Sequence, residues 1–111
     1  MKAVQNYKLM KNLNKLIRSG ELKRPSKKAE GFFDVECVSF EIKCQDYDLN
    51  ISTNKRTSSI YPDSHIVLLN DPQHKILPDG IDPRVTHVLE RDTTLARMVF
   101  NRLERFYNKQ K

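Results

Sequence analysis

Glu41 and Lys43 stand two residues apart in the stretch VSFEIK, an acid and a cation separated by one apolar residue. In an extended chain alternate residues share a face, so the two side chains lie about 7 Å apart and reach one small site. Hydrolysis of a phosphodiester with Mg²⁺ uses such a kit. Carboxylate oxygens hold an ion that keeps several of its waters, and a cation stabilises the attacking water or the developing charge. A second acid from a neighbouring strand completes it. On a solvated strand face the same pair is an ordinary ion pair of little energetic weight, and the residues alone leave both readings open.

The longer stretch DVECVSFEIK resembles the signature of the PD-(D/E)XK nuclease superfamily, the fold of type II restriction endonucleases. That signature is an Asp, a variable gap, then Glu or Asp, any residue and Lys on an apolar strand. Its counterparts here are Asp34, Glu41 and Lys43, at a gap similar to that of the mismatch-repair nicking endonucleases. The family often adds an acid from a preceding helix, for which Glu30 and Glu21 are the candidates. The polar, basic stretch leading into an apolar run, NKRTSSIYPDSHIVLLN, is also similar, and the likeness spans residues 28 to 72. It implies a Mg²⁺-dependent DNA endonuclease with Asp34 and Glu41 as metal ligands. Lys43 would orient the water or stabilise the phosphorane-like charge.

Such a site depends on the path of the chain between the two acids. In one straight strand Asp34 and Glu41 are about 23 Å apart at ~3.3 Å per residue, and they meet only where the chain reverses. VECVSF has no Gly, Pro or Asn for a turn. Its apolar phase nevertheless shifts from Val35 and Cys37 to Val38, Phe40 and Ile42, which predicts a bulge or tight reversal near Cys37-Val38. Asp46 and Asp48, flanking Tyr47, offer a further metal oxygen or a solvent-facing acidic pair.

The elements that would position these residues follow from periodicity. Residues 2–19 read as an amphipathic helix with Ala3, Tyr7, Met10, Leu13, Leu16 and Ile17 on one face and Lys8, Lys11, Lys15 and Arg18 on the other, stopped by Ser19-Gly20. The basic segment 20–31, broken by Pro25 and Gly31, reads as a loop. From 32 to 90 the period changes to two, giving three to four strands. YDLNIST alternates, NKRTSSIYPDS is turn-prone, and HIVLLN has the continuous apolar run of a strand buried on both faces. DPQHKILPDGIDP is mostly loop, with Ile76 and Leu77 as possible anchors, and RVTHVLE is the last short strand. Asp92, Thr93 or Thr94 caps a helix over 94–109. Its core face is Leu95, Met98, Val99, Leu103, Phe106 and Tyr107, with Arg102, Arg105 and Lys109 along one flank. The expectation is one domain, 1–111, of α+β or α/β class: a small central sheet flanked by an N-terminal and a C-terminal helix.

Charge is unevenly placed. Residues 1–28 carry nine Lys and Arg against one acid, 29–90 five against eleven, and 91–111 six against two, for a net +6. A basic head and tail around an acidic centre fit a protein that grips a polyanion. Lys8, Lys11, Lys15, Arg18, Lys55, Arg56, Arg102, Arg105 and Lys109 are the candidate phosphate contacts. The functional alternative to the nuclease is thus a non-catalytic accessory factor of phage or mobile-element type that binds nucleic acid or a protein. In the nuclease reading specificity comes from a homodimer mate or a partner subunit, or is absent, since one small domain has little room for a separate recognition module. No apolar run spans a bilayer, and lysines interrupt the first 20 residues where a secretory signal would be continuous. A cytoplasmic protein is expected, in the host cytoplasm if the source is viral, with Cys37 and Cys44 as thiols. Cys37, Cys44, His65, His74 and His87 make no zinc spacing. Three glycines leave no room for a glycine-rich phosphate loop.

Overall fold

The computed structural model describes residues 3–44, 46–80 and 87–109. Lys2 and positions 84–86, the start of the last expected strand, lie outside the described residues. Seven elements follow in order: α1 (Ala3–Ser19), β1 (Ser26–Phe32), β2 (Val35–Lys43), β3 (Asn50–Ser58), β4 (Ser64–Asn70), β5 (His87–Arg91) and α2 (Thr94–Lys109). The strands form one antiparallel meander, β1-β2-β3-β4-β5. The class is α+β, with both helices on one face of the sheet.

The pleat explains that one-sidedness. Phe40 and Ile42 on β2, Ile51 and Thr53 on β3, and His65, Val67 and Leu69 on β4 are buried, while the residues between them are half-buried or exposed. The buried set packs with Leu9, Met10, Leu13 and Leu16 of α1 and with Leu95, Ala96, Val99, Phe100, Leu103 and Phe106 of α2. Phe40 is central, its ring 5.4 Å from Phe100 and 5.5 Å from Tyr107. These separations suit the tilted and edge contacts aromatic pairs prefer.

Several expectations are corrected by this arrangement. The segment read as a loop over 20–31 contains β1, an edge strand all of whose residues are exposed, so it carries no apolar alternation. β3 runs on to Ser58 through residues read as turn-prone. β4 is covered on one face only, with Leu68 exposed on the other. The reversal expected near Cys37-Val38 lies instead at Phe33-Asp34, since Phe32 pairs with Val35 across a two-residue turn. Phe33 takes a positive φ of 56° there and is 94% exposed. Such a backbone costs a bulky residue on the order of 1 kcal/mol.

The helix ends are closed by local bonds. Gly20, at φ 80°, donates its N–H to the Ile17 carbonyl at 3.2 Å, and the Ser19 hydroxyl donates to the Leu16 carbonyl at 3.0 Å, so α1 stops where expected. Thr93 caps α2, accepting from the Ala96 N–H at 3.1 Å. Asp92 ties that cap to β4: one carboxylate oxygen accepts from the His65 N–H at 2.9 Å and the Ser64 hydroxyl at 2.8 Å. These bonds hold the Asp92 carboxyl below its ordinary pKa.

Irregular chain after β4 enters the core through one side chain. Asp71 is fully buried, and its carboxylate accepts the N–H groups of Lys75, Ile76 and Leu77, each at 2.8 Å. That arrangement satisfies the backbone of a turn that carries Ile76 and Leu77 inward, and Asn12 of α1 donates to the Ile76 carbonyl at 3.1 Å. Removing the carboxylate strands three donors, one of them at the rim. Asp71→Ala is expected to lower unfolding free energy by about 3 kcal/mol, read as a lower urea midpoint at unchanged slope.

His65 is 7% exposed, with its ring edge on Phe100 at 5.6 Å and Nδ1 unpartnered. Burial first, then the charges of Lys55 and Arg97, hold its pKa below the usual 6.5, against smaller opposing effects of Asp63 and Asp92. Below about pH 6.5 the unfolded chain therefore binds a proton that the native chain refuses, and stability falls with pH until the native value is reached. Denaturation midpoints taken between about pH 7.5 and about pH 5.5 should drop in the wild type and drop less in His65→Gln.

Candidate nucleic-acid interface

β2 pairs with β3 residue for residue from Val35↔Ser58 to Lys43↔Asn50, with no bulge. Asp34 sits in the turn before it, accepting from the Ser59 hydroxyl at 3.1 Å. Glu41 lies seven positions on, so the two carboxylates are at opposite ends of one strand, about 23 Å apart. Two ligands of one Mg²⁺ at ~2.1 Å must lie within about 5 Å; within one chain these do not. Glu41 and Lys43 do share a face, the open one, where the ammonium stands 3.4 Å from the carboxylate with both side chains solvated. Glu30 pairs with Lys28 at 2.8 Å, Glu21 accepts from the Tyr47 hydroxyl at 3.3 Å, and Asp48 accepts from the Asn70 amide at 3.5 Å. Among the described residues no three His, Cys, Asp or Glu side chains gather as a metal site.

The cations behave differently. Arg18, in the last turn of α1, meets Arg102, Arg105 and Lys109 of α2 along an open groove of about 820 Å³, also lined by Asn14, Ile17 and Phe106. Spacing of three and four puts Arg102, Arg105 and Lys109 on one flank of their helix, and the packing of α1 beside α2 brings Arg18 to them. Arg102 is half-buried and donates from Nε to the Asn14 side-chain oxygen at 2.6 Å. Burial, followed by the neighbouring charges of Arg105 and Arg18, pushes its pKa below the ordinary arginine value. The ion pairs among the described residues are Lys28–Glu30, Lys43–Glu41 and Lys55–Asp63, so none of the four groove cations has an acid partner there. Like charges are thus crowded at a helix junction, with no acid within ion-pair distance of them among the described residues.

The strip continues along α1. Lys8, Lys11 and Lys15 are exposed and border a second groove of about 470 Å³ with His74, Leu77, Pro78 and Asp79. From Lys8 to Arg18 the helix rises about 15 Å at ~1.5 Å per residue, comparable with four to five phosphates at about 3.4 Å per step of one strand. Lys55 and Arg56 are not part of this strip. As strand neighbours they point to opposite faces: Lys55 toward the helix side, bridged to Asp63 at 3.6 Å, and Arg56 to the open face opposite Cys37 and Ser64.

Two contacts to α2 had no signal in the linear sequence. Asn14 orients Arg102 from another helix, which only tertiary packing reveals. Arg24 lies with its guanidinium 3.9 Å from the centre of the Tyr107 ring and donates to the Tyr107 carbonyl at 3.2 Å, adding a cation where the carbonyls of α2 end. Comparison with protein-family models, curated proteins and solved structures returned no match.

An unneutralised groove should be stabilised by a multivalent anion more than by chloride. Inorganic phosphate about tenfold above its dissociation constant adds about 1.4 kcal/mol, a rise in melting temperature of several degrees for a domain of this size. At matched ionic strength chloride should give a smaller rise, and Arg102→Gln should reduce the difference.

Proposed function

We propose that this protein is a non-catalytic nucleic-acid-binding module that grips the phosphate backbone of DNA along the cationic strip of α1 and α2. The observation that supports it is the convergence of Arg18, Arg102, Arg105 and Lys109 on one groove with no acid partner among the described residues. Phosphate contacts of this kind position a protein without reading sequence, and the lysines of α1 extend them. The endonuclease reading requires Asp34, in the turn before β2, and Glu41, seven positions further on, at a common ion. The binding reading requires nothing from either. No helix among the described residues is long and apolar enough to cross a membrane. Free half-buried thiols at Cys37 and Cys44 suit action in the cytoplasm.

The test is fluorescence anisotropy with a duplex of about 20 base pairs over about 50 to 300 mM salt. Log affinity should fall linearly with log salt, with a slope near −4 to −6 at about −0.9 per phosphate neutralised. The Arg102→Ala/Arg105→Ala double variant should flatten that slope by about 2 and weaken binding roughly tenfold or more at the low-salt end. Glu41→Ala and Lys43→Ala should bind as the wild type, and supercoiled plasmid should survive incubation with Mg²⁺. Binding indifferent to salt and to the double substitution would sink the proposal. Metal-dependent nicking lost in Glu41→Ala would put the nuclease in its place.

A further inference from the structure

β1 is an edge strand of the sheet. It pairs only with β2, every one of its residues is exposed, and its outer side presents backbone donors and acceptors with no strand beside them among the described residues. Edges of this kind are ordinarily blunted, often with lysine, against pairing with another chain. Ser-Lys-Lys-Ala-Glu-Gly-Phe does carry two lysines, but it also carries an acid two positions from one of them, and the spacing has a consequence under two-fold symmetry.

Register with β2 fixes the faces. Ser26, Lys28 and Glu30 lie opposite Glu41, Ser39 and Cys37 and so point to the open face, whereas Lys27 and Ala29 lie opposite Phe40 and Val38 and point to the helix side. Lys27 accordingly reaches the Tyr107 ring, its ammonium 5.5 Å from the centroid. A second copy added antiparallel along β1, about a dyad perpendicular to the sheet, keeps each residue on its own face. Opposed residues must then share parity, which leaves registers centred on a single residue. Centring on Lys28 sets that lysine against its own symmetry mate, and centring on Glu30 does the same for the glutamate. Centring on Lys27 opposes like charges on the other face, and centring on Gly31 overlaps only three residues. Centring on Ala29 overlaps all seven. It sets Ala29 against Ala29, Lys28 against Glu30 of the second copy, and Glu30 against Lys28 of the second copy. Lys27 then faces Gly31 of the second copy, around which a side chain would meet nothing within 4 Å.

We infer that β1 is a homodimer interface in which two copies pair antiparallel about Ala29, joining their sheets into one of ten strands. The existing Lys28–Glu30 contact of 2.8 Å becomes one side of a four-charge ring, with opposite charges directly facing across the dyad as cross-strand pairs favour. Association is isologous, as a two-fold requires, and both helix layers lie on the same side of the joined sheet. The inference is independent of what the basic groove binds.

Sedimentation velocity and light scattering on the full chain test it. The expected species has twice the 13.0 kDa of one chain and dissociates on dilution. Lys28→Glu alone and Glu30→Lys alone each place like charges opposite one another at two points, and each should weaken dimerisation roughly tenfold or more. Lys28→Glu combined with Glu30→Lys restores every pair in mirrored sense and should recover the wild-type dissociation constant. Far-UV circular dichroism of all three variants guards against misfolding, and both substituted side chains are exposed. A monomer at every concentration up to about 1 mM overturns the interface. So does a dimer that the single reversals leave intact, or one that the double exchange fails to restore.

Discussion

The constraint from which the rest follows is that two helices cover one face of a five-stranded sheet, α2 being seated on β2 where Phe40 meets the rings of Phe100 and Tyr107. Among the described residues the two helices make one layer, and Leu68 on the opposite face of the sheet is left exposed. Alternation along β2 then decides the fate of the residues that seemed chemically most promising. With Phe40 and Ile42 turned inward, Glu41 and Lys43 are obliged to face water. The same packing forces the basic flanks of α1 and α2 toward one another at the edge of the helix layer. Charges that look scattered along the sequence become neighbours there because apolar residues elsewhere on the same helices are buried.

A second constraint operates where regular structure gives out. The chain leaving β4 must return Ile76 and Leu77 to the core without a ladder to satisfy its amides, and the Asp71 carboxylate supplies that ladder in miniature. Its charge is spread over three N–H dipoles rather than countered by a cation, a stronger arrangement than neutral hydrogen bonds would give. The interaction also reaches the groove of lysines on α1, because Asn12 holds the Ile76 carbonyl and so fixes the turn beside Lys8, Lys11 and Lys15. The core turn and the lysine-lined groove thus share a support.

What could be read in the sequence was whatever one period or one cap could carry. α1 with its Ser19-Gly20 stop, α2 with its threonine cap and the inward Phe40, Ile42 and Ile51 of β2 and β3 were legible, as was the α+β class, whereas the unbroken apolar run of β4 hid which of its faces is covered. β1 was not, because a strand with water on both faces has no alternation to display, and its lysines made it look like a loop. The apparent shift of phase in VECVSF had a simpler cause than a bulge: Val35 and Cys37 belong to the open face and Val38, Phe40 and Ile42 to the covered one, both faces being apolar toward their own ends. The separation of Asp34 from Glu41 was calculable for a straight strand, but the position of the turn was not, since Phe33 adopts a backbone that its side chain disfavours. The basic groove required knowing how two helices at opposite ends of the chain cross, and no local pattern encodes that.

The order of the strands has a consequence for how the molecule is made. Every strand pairs with its neighbour in sequence, so β1 to β4 can zip up from short loops at low cost in chain entropy. The two helices are the exception: Asn14 meets Arg102 across 88 residues. During synthesis at ~5–20 residues per second, α1 waits on the order of 10 s before α2 exists to cover it. Throughout that interval Leu9, Met10, Leu13 and Leu16 form a bare apolar stripe on a nascent helix, and the lysines opposite them are what keep it in water. For that interval charge rather than burial keeps the helix dispersed, a demand that the stability of the finished fold does not measure.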